Sequence, residues 1–249
     1  MVSPDTVRTV IGVVGNTISI ILVLSPMPTF YRIWKNKSVE QFSPIPYIAT
    51  AIGCIVWVLY GLPIVHPHSI LIITTSGSGL VIELFYVILF ILYSQGKKRL
   101  QVFTTLVASI VVLGVLAVLI IMLVHTHEHQ SMILGILGGT LNIISYGSPL
   151  FVMKMVIQTK SVEYMPFYLS MAIFFNTVCW TAYGLIIFDP YITIPNGVGV
   201  IFATAQLLLH AIYYKSTQRQ IEARRKEEQM VLGKVVLMAD SGPIVGTQL

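Results

Sequence analysis

The chain has 249 residues, of which 55% are hydrophobic and only 10% charged, with a formal net charge of +5. A water-soluble chain carries about 25% charged residues, so most of this surface faces something other than water. That excludes an ordinary soluble enzyme, and the modest basic excess gives no support for nucleic acid as a partner.

Taken in order, apolar runs predict seven helices over residues 7–27, 45–62, 70–93, 102–124, 133–156, 165–187 and 192–214. The run over 102–124 has 23 residues without a charge, enough for a helix to cross a hydrocarbon core about 30 Å thick. The first run is not read as a cleaved signal, because it lacks a basic leader and a small-residue cleavage pattern and ends on Pro26 and Pro28. After the seventh run, residues 216–249 read as a disordered cytosolic tail, basic at first, then mixed, with Gly242-Pro243 near its end. The connections after helices one, three, five and seven hold 14 of the 15 lysines and arginines, and only Arg8 lies on the other side. The positive-inside rule then predicts an extracellular amino terminus and a cytosolic carboxyl terminus. The same asymmetry points to the lipid bilayer, with its anionic lipids, as a partner.

The chain contains a duplication. Gly12-Val-Val-Gly15 recurs as Gly135-Ile-Leu-Gly138, Ser25-Pro26 as Ser148-Pro149, Lys37-Ser-Val-Glu40 as Lys160-Ser-Val-Glu163, and Trp57-Val-Leu-Tyr60-Gly61 as Trp180-Thr-Ala-Tyr183-Gly184, all 123 positions apart. Pro46 with Pro166, and Ser76-Gly77-Ser-Gly79 with Asn196-Gly197-Val-Gly199, repeat at 120 positions. Helices one to three therefore match five to seven, and helix four is left over. Three crossings invert a unit, and one extra crossing restores its direction. The predicted fold is an all-α membrane protein with two parallel triple-helix bundles joined by an inversion linker helix. Its units are residues 5–95, 96–130 for the linker, and 131–215. Transporters built from such repeats hold their solute between them, near the midplane.

Polar residues, prolines and glycines inside membrane helices are costly, so they mark candidate sites. Pro26, Pro149, Pro46 and Pro166 form two matched pairs in the cytosolic parts of four helices, and are expected to bend them and act as hinges. Asn196 offers donors and an acceptor suited to a hydroxylated solute. Trp57 and Trp180 sit at equivalent places, where an indole either stacks on the apolar face of a sugar ring or anchors its helix at the membrane interface. Asn176 lies one helical turn before Trp180 and shares its face. Ser76 and Cys54 complete the lining candidates, while Cys54 and Cys179 are expected to be small buried residues without a disulfide. Glu83, deep in a helix, is either a buried structural carboxyl or a proton site. Asp189, in the short outer connection before Pro190, is expected to be solvated, the alternative being an outer latch to Tyr60 or Tyr183. The loop histidines 66, 68, 125, 127 and 129 have no rigid ligand spacing, so no metal is expected. No Walker loop, HExxH or Gly-x-Ser-x-Gly element appears, so neither catalysis nor a cofactor is expected.

The strings Ser25-Pro-Met-Pro-Thr-Phe-Tyr-Arg-Ile, Lys-Ser-Val-Glu, Trp57-Val-Leu-Tyr-Gly, Lys160-Ser-Val-Glu-Tyr-Met-Pro166-Phe, Trp180 with Tyr183-Gly, and Ile194-Pro-Asn-Gly197 resemble the SWEET sugar transporters, especially those of plants. The resemblance covers about residues 5 to 215. It implies facilitative, bidirectional movement of sugars across the plasma membrane and assembly into homo- or hetero-oligomers. It also implies a proline tetrad at Pro26, Pro46, Pro149 and Pro166, pocket residues Trp180 and Asn196, and an extracellular gate of Tyr60, Tyr183 and Asp189. Where many members carry a second pocket asparagine, this chain has Ser76. The bulk of Trp57 resembles members that prefer hexoses, which favours glucose, fructose or galactose over sucrose. The alternatives are a sucrose-preferring carrier, a proton-coupled carrier and a seven-helix receptor. The duplication speaks against the receptor, which needs none.

Overall fold

A computed structural model describes residues 3–240, with side chains to residue 236. Among the described residues it has nine helices: α1 (Pro4–Leu24), α2 (Met27–Asn36), α3 (Ile45–Gly61), α4 (Ile70–Tyr93), α5 (Gly96–Leu123), α6 (His127–Ser145), α7 (Gly147–Thr159), α8 (Phe167–Ile186) and α9 (Pro190–Asp240). They make seven crossings, because α1–α2 and α6–α7 are each one span with a break inside. The breaks fall within three residues of repeat-equivalent places. One is at Ser25-Pro26, where the proline lacks the donor that would continue the ladder. The other is at Tyr146, just before Gly147-Ser148-Pro149.

The other matched prolines correct the expectation of four bent helices. Pro46 is the second residue of α3, and Pro166 is the residue that precedes α8. A first helical turn has no intrahelical partner for its amides, so proline starts a helix there without bending it. A further proline, Pro195, lies inside α9 without interrupting it, where it removes one donor from the ladder.

Within the first repeat, α4 packs against α1, α2 and α3; within the second, α9 packs against α6, α7 and α8. The repeats meet crosswise, α1 on α8 and α3 on α6. The linker α5 lies against α3 and α4. The buried side chains divide in the same way. One core joins the repeats near the amino-terminal face, with Tyr60, Val65, Ile72, Leu134, Trp180, Tyr183 and Ile192. Two more lie toward the opposite, basic face, each inside its own repeat: Phe30, Ile33, Val39 and Phe90 in the first, Met153, Val156 and Val162 in the second. Phe30, Ile33 and Val39 match Met153, Val156 and Val162 at 123 positions. The duplication thus extends to the packing. The repeats are joined at one face and separately cored at the other.

The segment expected to be a disordered tail is helical as far as Asp240. Residues 219–228 are mostly good helix formers, with Glu222–Lys226 and Arg224–Glu228 spaced for i,i+4 pairing. The extension is also docked. Thr217 Oγ1 accepts the Val162 amide at 2.8 Å, Gln220 reaches the Thr159 carbonyl at 3.1 Å, and Arg224 pairs with Glu163. Gly242 and Pro243 lie outside the described residues.

Candidate functional site

A cavity of about 190 Å³ lies between the repeats. Its walls come in repeat-equivalent pairs: Ser19 with Asn142, Trp57 with Trp180, Ile72 with Ile192, and Ser76 with Asn196; Thr75 and Asn176 complete it. Ser76 and Asn196 each stand six residues into their helices, so the cavity lies about 9 Å below the helix starts.

The two indoles reach the axis because glycines let them. A Cβ at Gly15 would stand 3.3 Å from the Trp180 ring, and one at Gly138 would stand 3.0 Å from Trp57. Small residues at helix crossings allow such close approach in the membrane, where packing rather than the hydrophobic effect holds helices together. Each indole then meets a tyrosine of its own helix edge-on, Trp57 with Tyr60 and Trp180 with Tyr183, both at 5.3 Å.

The polar groups are not equally free. Asn176 donates through Nδ2 to the Gly15 carbonyl at 3.1 Å and to Ser19 Oγ at 2.6 Å, and Trp180 Nε1 donates to the same hydroxyl at 3.2 Å. Asn176 therefore ties α8 to α1 with both amide hydrogens and offers the cavity only its oxygen. Asn196 Nδ2 donates to the Ile192 carbonyl one turn back at 2.8 Å, which points its oxygen away from its own helix. Of the sequence-derived lining residues, Trp57, Ser76, Asn176, Trp180 and Asn196 are brought together here. Cys54 is not; its Sγ lies 3.1 Å from a Cβ built on Gly79, packed between α3 and α4. Glu83 is also outside the cavity, 4% exposed, with Oε2 unpartnered. Ser19, Asn142 and Thr75 were missed by the sequence reading, although the 123-residue offset links the first two.

The amino-terminal face is closed above the cavity. Asp189 caps α9, accepting the Tyr191 and Ile192 amides through Oδ1 at 3.0 and 3.2 Å. Its other oxygen, Oδ2, accepts the Tyr60 hydroxyl across the repeats at 2.7 Å. Tyr60, Tyr183 and Asp189 are all buried. His66 stacks on Tyr60 with ring centroids 4.7 Å apart, and its Nδ1 lies 3.1 Å from Ser131 Oγ. The Ser131 hydroxyl donates to the Val65 carbonyl, so it accepts from Nδ1–H. Nε2 then faces Asp189 Oδ2 at 3.6 Å.

Burial holds the His66 pKa below its ordinary 6.5, and the positive charge of Arg8 adds to this, while Asp189 acts in the opposite direction. A hydrated imidazole therefore binds a proton more readily than this one. Closure is fully favoured above about pH 6.5 and weakens as pH falls through the lowered value. Hydrogen exchange over residues 60–72, referred to free peptide, is expected to speed up on acidification from about pH 7.5 to 5. His66→Gln is expected to flatten that dependence. Exchange that slows with acid would reverse the sign.

Known proteins match this chain in sequence and in fold. A family described as sugar efflux transporter for intercellular exchange matches residues 9–98 and 132–218, which are the two repeats. The bidirectional sugar transporter SWEET4 of Oryza sativa subsp. indica is 57% identical over 241 residues, covering 97% of this chain and 93% of its own. SWEET7 of Arabidopsis thaliana, also described as a bidirectional sugar transporter, is 50% identical over 236 residues, covering 94% and 91%. A solved eukaryotic SWEET transporter superposes with a TM-score of 0.82 at 34% identity, over 85% of this chain and 99% of that one. With both repeats matched and the axial cavity between them, this chain belongs to the SWEET family.

Proposed function

We propose that the chain is a facilitative carrier that moves sugars, chiefly monosaccharides such as glucose, in both directions across the plasma membrane by alternating access. Its amino-terminal face is outward, as the basic residues of the opposite face favour. The observation that carries this reading is the cavity itself: paired indoles and amides on the axis between repeats that are joined at one face and separately cored at the other. A sugar ring has an apolar face for Trp57 or Trp180 and hydroxyls that donate to the Asn176 and Asn196 oxygens. The volume of about 190 Å³ supports a single ring. The breaks at Pro26 and at Tyr146, three residues before Pro149, give α2 and α7 freedom to swing, while Pro46 and Pro166 let α3 and α8 turn from their first residue. Binding is weak by design, because a carrier must release its cargo.

The test is uptake and efflux of labelled sugars by cells lacking their own carriers. Hexoses are expected to move both ways, sucrose poorly, with no effect of a protonophore and little effect of Glu83→Gln. A chain at the surface that moves no sugar would overturn the reading. Cross-linking in the membrane tests the association with further copies that the family resemblance implies. Selectivity is expected to sit in the mismatch between Ser76 and Asn196. Ser76→Asn adds an amide worth one hydrogen bond, so the ratio of glucose to fructose uptake should change by about two- to tenfold. An unchanged ratio across a sugar panel would remove Ser76 from the site.

A further inference from the structure

We propose that Arg8 is a gating residue: its guanidinium clamps Tyr183 as Asp189 clamps Tyr60, so that the outer face closes on two latches of opposite charge. The proposal rests on the alternating-access reading above and deepens it.

The duplication shows why a second clamp is needed. Tyr60 and Tyr183 are repeat equivalents at 123 positions, and the residues that start the following helices, Ser69 and Asp189, are equivalents at 120. The change of offset lies in the loops between them, residues 63–68 in the first repeat and 186–188 in the second. Asp189 reaches across to Tyr60. The pseudo-twofold axis would have residue 69 reach across to Tyr183, but Ser69 is short and its buried hydroxyl has no partner. The vacated role falls to α1. Arg8 Nη2 donates to the Tyr183 hydroxyl at 2.8 Å, and the guanidinium carbon lies 4.4 Å from the centre of the same ring. Nη2 also donates to the His68 carbonyl at 3.2 Å, so Arg8 is held by its own repeat while it grips the other.

Two further observations set Arg8 apart from a solvated surface charge. It is the one lysine or arginine on the face that topology otherwise keeps free of them. Its Nε is buried without a partner, a cost that a purely exposed arginine would not carry. Above it, a cavity of about 690 Å³ lined by Asp5, Arg8, His66, His68 and Tyr183 offers the space in which the guanidinium can rehydrate when the latch releases. Asp189 and Arg8 both act on His66, in opposite directions, so the imidazole lies within reach of both clamps.

The test reads the gate without sugar, so its failure is separate from failure to transport. In a chain with Cys54→Ala and Cys179→Ala, Thr75→Cys places a thiol in the cavity beneath the gate. A membrane-impermeant maleimide is added outside intact cells, and the labelling rate is normalised to protein at the surface. Arg8→Gln and Tyr183→Phe are each expected to raise that rate by about tenfold, the shift that loss of a charge-assisted hydrogen bond gives a two-state equilibrium. The double variant should exceed neither, because both remove one contact. Tyr60→Phe should add to either. In inverted vesicles, labelling from the basic face should fall in parallel, which a merely unfolded variant would not do. Arg8→Lys, which keeps the charge but loses the planar fork, should lie between. A parental labelling rate in Arg8→Gln, or effects of Arg8→Gln and Tyr183→Phe that multiply, would overturn the proposal.

Discussion

Trp180→Ala is expected to reduce sugar uptake to background, while Trp180→Phe keeps a measurable part of it. The indole does three things at once. It lines the cavity, donates Nε1 to Ser19, and fills the space left by Gly15 against α1. It also supports Tyr183 edge-on, directly under the gate. Truncating a buried tryptophan costs about 3–5 kcal/mol when neighbours do not collapse, and here the loss is shared between sugar binding and the α1–α8 contact. Phenylalanine retains a stacking face and most of the volume but loses the bond to Ser19, worth about 1 kcal/mol. Uptake at several sugar concentrations, normalised to surface protein, separates the two. Equal activities for Trp180→Ala and wild type would take the residue out of the pathway.

Gly135→Ala is the second large effect, and it comes from one methyl group. A Cβ at this position of α6 would clash with the root of the Tyr191 side chain, 2.7 Å from its Cβ and 2.9 Å from its Cδ2. Tyr191 is next but one to Asp189 and lies 6.4 Å from the Tyr60 ring, so it cannot retreat without moving the gate. Overpacking of this kind costs about 1–3 kcal/mol and falls entirely on the closed outer face. The expected result is loss of transport with a chain that still inserts. The control is Gly77→Ala or Gly53→Ala, where nothing lies within 4 Å of the added carbon. Either should leave uptake intact and raise thermal stability slightly, since alanine favours a helix by about 1 kcal/mol over glycine. Comparable activity in Gly135→Ala and Gly77→Ala would contradict the packing described at α6.

The fold was largely legible in the sequence because the bilayer imposes it. Apolar runs long enough to cross it set the crossings, and the 123-residue offset sets the pairing of units. Trp57, Trp180, Ser76, Asn176 and Asn196 were legible as polar or bulky residues out of place in apolar helices, and the cavity gathers them. Cys54 was misplaced because helical periodicity gives a face but not the neighbour on it; that face meets Gly79 of α4. Ser19 and Asn142 escaped notice because a lone serine or asparagine inside an apolar helix commonly bonds only to its own backbone. Arg8 and His66 escaped for a different reason. Their roles depend on how a six-residue loop folds back over Tyr60 and Tyr183, and nothing in local pattern encodes that closure. The helical extension of α9 was hidden by its mixed charge, which composition alone does not separate from disorder.

The seating of α5 has a mechanical consequence. It packs on α3 and α4 and so travels with the first repeat, which makes the two rocking bodies unequal: four crossings on one side and three on the other. Any relative rotation must then be absorbed in the short joint of residues 124–126, between the end of α5 and the start of α6. That joint is already tethered, because Gln130 Nε2 donates to the Val124 carbonyl at 2.6 Å and His127 Nδ1 lies 2.7 Å from the Ile64 carbonyl. That joint lies at the amino-terminal face, away from the cavity, so its stiffness limits how far the two bodies rotate without touching the cargo.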